Sequence, residues 1–242
     1  MAKALRPWIV TRHDPLEQLD ENLWAVNGDV PGFPRGCGIG RRMSIARLGD
    51  GRRLVFYNAV PLDQATLAQV RALGTPSILI APIALHTMDA HAFQEKLGLA
   101  TFTSQQSLDA VRALIPAARS LDELPTDSSL RWVPLAGTRF GEVALVVQSG
   151  DRASILVCDC LHNSAPGTGL NGWMFKWMGF TGEKPTMPPM FKWRAVRDRP
   201  ALKRDLLALA ETPGLVRLVP SHGGVITKEP AQAVREVALA AL

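Results

Sequence analysis

Cysteine is scarce in this chain. The three present, Cys37, Cys158 and Cys160 among 242 residues, are too few for a disulfide framework. No apolar run reaches the roughly 18 residues that a membrane-spanning helix needs. The opening stretch, MAKALRPWIVTRHD, lacks the apolar segment and small-residue cleavage site of a secretory signal. Together these absences point to a reduced, cytoplasmic protein. Internal repeats and low-complexity tracts are absent too, which excludes a stacked-repeat architecture. Histidine is rare: His13, His86, His91, His162 and His222 are all there is.

Apolar residues, by contrast, make up 47% of the chain, enough for a sizeable core and too many for disorder. The net charge of +5 is modest. Much of it lies in GRRMSIARLGDGRR, with arginines 41, 42, 47, 52 and 53, and in residues 183–205, with seven Lys/Arg against three Asp/Glu. No aromatic alternates with basic residues as an RNA-binding sheet requires, so both stretches read as solvated faces and no nucleic-acid partner is expected.

Strand-like runs come early: RPWIV (6–10), NLWAV (22–26), MSIARL (43–48) and RLVFYN (53–58). Gly49-Asp50-Gly51 suits a hairpin between the last two. The spacing of Leu62, Leu67, Val70 and Leu73 predicts a helix over about 62–73, stopped by Gly74. PSILIAP (76–82) is continuously apolar, the mark of a strand buried on both faces. Asp89 suits the N-cap of a helix over 90–97, and another helix is expected near 105–114. Strands follow at RWVPL, EVALVVQ and ASILVCD. Helices over about 201–211 and 231–241 open at Pro200 and Pro230 and flank a strand at 214–220. This order describes a layered α/β protein with sheet inside and helices outside.

The densest chemistry lies in LVCDCLHN (156–163). On a strand, Cys158 and Cys160 share one face and Asp159 takes the other. A zinc ion could take both cysteines or the aspartate, but hardly all three. No second cysteine pair exists to complete a four-cysteine site, so both thiols read as small buried residues. Asp159 stands where an apolar strand meets a loop, and two histidines stand likewise: His86 after PSILIAP and His222 in LVPSHGG. Three strands thus deliver one metal-type side chain each.

This pattern resembles the metallo-β-lactamase superfamily over residues 20–242. PSHG before a terminal helix is similar to its last metal motif, ILVCDCLHN to its strand bearing the metal-bridging aspartate, and PLAGTRFGEVALVV (134–147) to its PGHTPGSVALV segment. The resemblance is closest to a bacterial branch with no assigned function, through RRMSIARLGDG, APIALHT and DRPALKRDLLAL. It implies a four-layer αββα sandwich of two mixed sheets with outer helices, formed by residues 1–242 as one domain. The first metal motif, HxHxDH, falls on residues 82–87, where Pro82, Ala84 and Thr87 replace its histidines and His86 its aspartate. Thr138 replaces a further histidine. His86, Asp159 and His222 then map onto three of the four usual contributors to the second site. They imply at most one divalent ion (zinc, iron or manganese), and the site equally allows none. Asp89, His91 and His162 are the candidate general acids or bases.

One segment stands apart. Residues 160–196 lack a period, and NGWMFKWMGFTGEKPTMPPMFKW (171–193) holds three of the six tryptophans and four of the seven methionines. Three readings apply to this insert, placed at about 163–196. It is irregular core over the sheet, a lid in which Trp173, Met174, Trp177 and Met178 shape an apolar pocket, or an interfacial membrane contact. The expected function is a mononuclear metal-dependent hydrolase of a small, apolar or lipid-like substrate. The alternative is a non-catalytic member of the same fold that binds a ligand or protein.

Overall fold

A computed structural model describes residues 6–241. Seven strands form the first sheet: β1 (Glu17–Asp20), β2 (Leu23–Asp29), β3 (Gly40–Arg47), β4 (Arg53–Tyr57), β5 (Thr75–Ile80), β6 (Ala100–Thr103) and β7 (Arg119–Ser120), in that spatial order. The first four pair antiparallel, and β4 through β7 run parallel. The second sheet holds β8 (Leu130–Pro134), β9 (Val143–Ser149), β10 (Arg152–Val157) and β11 (Leu215–Pro220), in the order β11-β10-β9-β8. There β10 and β11 are parallel and the other pairs antiparallel.

Side-chain alternation explains the layers. Along β4, Leu54 and Phe56 face outward onto α1 (Gln64–Leu73), α2 (Ala90–Leu97) and α3 (Leu108–Arg112), where they meet Leu67, Val70, Phe93 and Val111. Val55 and Tyr57 face the other way, into the space between the sheets. The far face of the second sheet is covered by α6 (Arg199–Ala210) and α7 (Pro230–Ala241), through Leu202, Leu206, Leu209, Val234 and Val237. The result is helix, sheet, sheet, helix, as the sequence resemblance implied. Each fully buried Leu, Ile or Phe contributes roughly 1.5–3 kcal/mol, so these two apolar layers dominate the stability.

Several local expectations need correction. Residues 6–10 form no strand, although Trp8 still packs on Phe93. The helix near 105–114 divides into a 3₁₀ turn, Gln105–Ser107, and the short α3, because the Ser104 hydroxyl caps the turn by accepting from Ser107 N. The strand expected to carry Asp159 ends at Val157. Arg41 and Arg42 are not solvated but buried. The long segment after Asp159 holds α4 (Gly169–Trp177) and α5 (Pro189–Arg194). Its methionine and tryptophan stripe does not face inward. Among the described residues, no helix is long and apolar enough to cross a membrane.

Candidate metal centre

The parallel pairs β4–β5 and β10–β11 send their C-terminal ends to one edge of the sandwich, the place where such sheets present their loops. His86 lies in the turn after β5, where its amide donates to Ile83 O. Asp159 follows β10 by two residues, and His222 follows β11 by two. Backbone bonds lock the three loops together. Ser221 N donates to Val157 O at 2.8 Å, and Arg42 N donates to Ser221 O at 2.7 Å, which ties β3 to the other sheet. Asn58, at the end of β4 with φ 67°, donates from Nδ2 to the Ser221 hydroxyl. Gly223 completes the frame with φ +96°: a Cβ there would lie 2.1 Å from the Asn163 carbonyl, so only glycine permits this close approach.

The three side chains converge. His86 Nε2 lies 3.0 Å from Asp159 Oδ1, His222 Nε2 lies 3.2 Å from the same oxygen, and the two imidazole nitrogens are 3.3 Å apart. A tetrahedral ion with ligand bonds of roughly 2.0 Å needs donor atoms about 3.3 Å apart, so the triangle fits one ion. The protonation pattern fits as well. His222 Nδ1 lies 2.7 Å from Gly40 O, and a carbonyl only accepts, so Nδ1 carries the proton and, when the ring is neutral, Nε2 presents its lone pair to the centre. A bare nitrogen then faces a carboxylate oxygen. Only a cation between them, a proton or a metal ion, relieves that repulsion.

The electrostatics agree. Burial alone would raise the Asp159 carboxyl. The His86 charge, with hydrogen bonds from His222 and His86, outweighs it and holds the group well below the usual carboxylate range. His162 is pushed down to about 4 by burial and then by the His222 charge, so it is neutral at pH 7. Its Nε2 lies 3.9 Å from Asp159 Oδ1, and both ring nitrogens are buried without a hydrogen-bond partner. Cys158 and Cys160 are fully buried with their thiols pushed up by burial and nearby carboxyls, which makes thiolate ligation unfavourable.

The other candidates separate. The Asp89 carboxyl does not cap α2; it forms a buried ion pair with Arg41, whose Nη1 also donates to Ala59 O. His91 sits on α2 beside Glu95, 3.5 Å away, outside the cavity. His162 lines it. Thr138, where the sequence resemblance expects a histidine, spends its hydroxyl on Leu135 O and on accepting from Glu142 N. Three residues were missed by sequence reasoning: Arg41, Asn58 and Glu142. Fully buried Glu142 accepts amide hydrogens from Cys158 and Cys160 and so shapes the turn that aims Asp159. An acid directly before the apolar run VALVV was the available signal.

The centre opens into a cavity of about 410 Å³ whose walls are mostly apolar, among them Val30, Phe33, Phe140, Phe180 and Phe191. This volume is within the range of small-molecule sites.

No protein-family model matches the sequence, and no curated protein matches it. Solved structures do. The chain resembles the DIM-1 metallo-β-lactamase exposed to ceftazidime, with TM-score 0.62, 13% identity, and coverage of 97% of this chain and 100% of that one. It resembles the metallo-β-lactamase FIM-1 from Pseudomonas aeruginosa in the mono-zinc form, with TM-score 0.60, 13% identity, and coverage of 94% and 96%. A metallo-β-lactamase from Pontibacter korlensis gives TM-score 0.60 and 10% identity over 94% and 99%. The chain therefore has the metallo-β-lactamase fold. At such identities the likeness is one of architecture, and the chemistry must be argued from the side chains.

Proposed function

We propose that this protein is a mononuclear metal-dependent hydrolase of a small substrate with an apolar group. One observation carries the reading: three donor atoms from three strand ends form a triangle of 3.0, 3.2 and 3.3 Å, with the His222 tautomer fixed by Gly40 O. His86, Asp159 and His222 would hold the ion. A divalent ion in such a site supplies Lewis acidity and lowers the pKa of water to roughly 7. The chain's own residues then have distinct tasks. The Gly40 carbonyl orients His222, and Glu142, by holding the Cys158 and Cys160 amides, sets the turn that aims Asp159. The phenylalanine-lined cavity excludes water and holds the apolar part of the substrate. Neutral His162 is the group free to exchange a proton at its ring nitrogens, since Asp89 is engaged by Arg41. That a fold relative was solved in a mono-zinc form is in keeping with a single ion.

A second reading, a non-catalytic ligand binder, is favoured by the replaced first site, since Pro82, Ala84, Thr87 and Thr138 offer no nitrogen donor in their side chains. Hydrolysis of p-nitrophenyl esters and of a phosphodiester, assayed with zinc, iron(II) or manganese(II), tests the choice. The hydrolase reading expects metal-dependent turnover that Asp159→Asn abolishes. No turnover with any metal, with apolar ligands still bound, favours the binder.

A further inference from the structure

A surface helix normally buries its apolar stripe and shows its polar face. Helix α4 does the reverse. Leu170, Trp173, Met174 and Trp177 recur at the i, i+3, i+4, i+7 spacing of one helical face, and this face is turned to solvent: Leu170 is 78% exposed, Trp173 64% and Trp177 78%. The face that packs inward carries only Gly172 and Phe175. Phe175 stacks on Phe33 and on Phe180, and both of these line the cavity. Helix α4 is therefore seated on residues of the cavity wall, with its stripe turned to solvent. On α5, Met190 lines the cavity while 44% exposed, and Trp193 stands 82% exposed. Leaving three tryptophans this open is costly in water and marks a surface that is covered in use.

The charge around the stripe identifies the cover. Residues 164–197 carry five cations, Lys176, Lys184, Lys192, Arg194 and Arg197, against one acid, Glu183. Arg35, in the loop whose Phe33 meets Phe175, adds a sixth. Exposed apolar and indole side chains in a segment this rich in Lys and Arg match the boundary between acyl chains and anionic headgroups, where tryptophan prefers to lie.

We propose that α4, with the exposed end of α5, docks this protein on an anionic lipid bilayer and sets the cavity mouth against the membrane. The docking surface does not depend on the metal centre. With the full chain, vesicles of phosphatidylcholine plus phosphatidylglycerol should bring the protein into the floated fraction and shift tryptophan emission to the blue. Vesicles of phosphatidylcholine alone should bind it more weakly, and added salt should weaken the anionic case. The double substitution Trp173→Ser/Trp177→Ser should reduce partitioning about tenfold or more, with an unchanged melting temperature because both rings are exposed. A second variant, Lys184→Glu/Lys192→Glu, should lose the preference for anionic vesicles. Absence of partitioning by the wild-type chain would overturn the proposal, as would unaltered partitioning of both variants. So would a lipid-free dimer that sedimentation detects and the tryptophan substitutions dissolve, since the stripe would then join two copies of the chain.

Discussion

Replacing Glu142 by glutamine should make the protein more stable at alkaline pH. The carboxyl is fully buried, and its Oε1 accepts from Cys158 N at 3.0 Å and Cys160 N at 3.2 Å, while Oε2 accepts from Cys160 N at 3.0 Å. Burial, followed by the charge of Asp159, raises the group from 4.5 to about 7, despite these amide bonds. A folded-state value above the unfolded one stabilises the fold below about 4.5, and that contribution is lost as pH rises through about 7. The difference is worth about 3 kcal/mol. Glutamine keeps the volume and the acceptor shared by the two amides but cannot ionise. Urea unfolding of metal-free protein in chelator, from pH 4.5 to pH 8, reads the effect. The two proteins should agree to within about 1 kcal/mol at the acid end, the value of one amide bond. Glutamine should lead by about 3 kcal/mol at the alkaline end. Parallel pH curves would refute the reasoning. Glu142→Ala provides the contrast, since it strands two buried amides at about 1–3 kcal/mol each and should destabilise the protein at pH 4.5.

Other substitutions report on the pocket and the core. Asp89→Ala leaves the buried Arg41 guanidinium unpaired, so denaturant unfolding should show a loss of about 3–5 kcal/mol. Asp20 bridges Arg217, at 3.0 Å, and Arg152; burial opposes its ionisation, but the Glu21 amide and both arginines outweigh this and hold its carboxyl low. Asp20→Asn should therefore cost about 1–3 kcal/mol at neutral pH, and the gap to wild type should close as pH falls below about 3.8, through the lowered value. Phe191→Ala should weaken binding of apolar ligands about tenfold, read by fluorescence titration, whereas Trp177→Ala should not, because Phe191 lines the cavity and Trp177 faces solvent. All three cysteines are buried, so a thiol reagent should label them slowly in native protein and quickly in urea.

Much of the architecture was legible because period and punctuation agree with packing. Leu67 and Val70 on α1, and the PSILIAP strand, follow from spacing alone. The meeting of His86, Asp159 and His222 was readable because each follows an apolar strand that the fold aligns in parallel. Arg41 and Arg42 were misread since charge predicts solvent unless a partner is known, and the partners here are distant in sequence: Asp89 for one, the Pro220 carbonyl for the other. Glu142 was hidden for the same reason, as its acceptor role exists only once Cys158 and Cys160 turn over it. The α4 stripe was legible as a stripe, but its direction was not, because helical periodicity fixes which residues share a face and not what the face meets; core, lid and interface stayed open until the structure turned it to solvent.

Metal content tests the central claim most directly. The chain, stripped with chelator, reloaded with zinc and dialysed, should carry one equivalent by elemental analysis, and Asp159→Asn and His222→Ala should each carry far less. Two equivalents would mean that donors outside the trio take part. None in the wild-type chain, or one retained in both variants, would contradict a metal centre built on His86, Asp159 and His222.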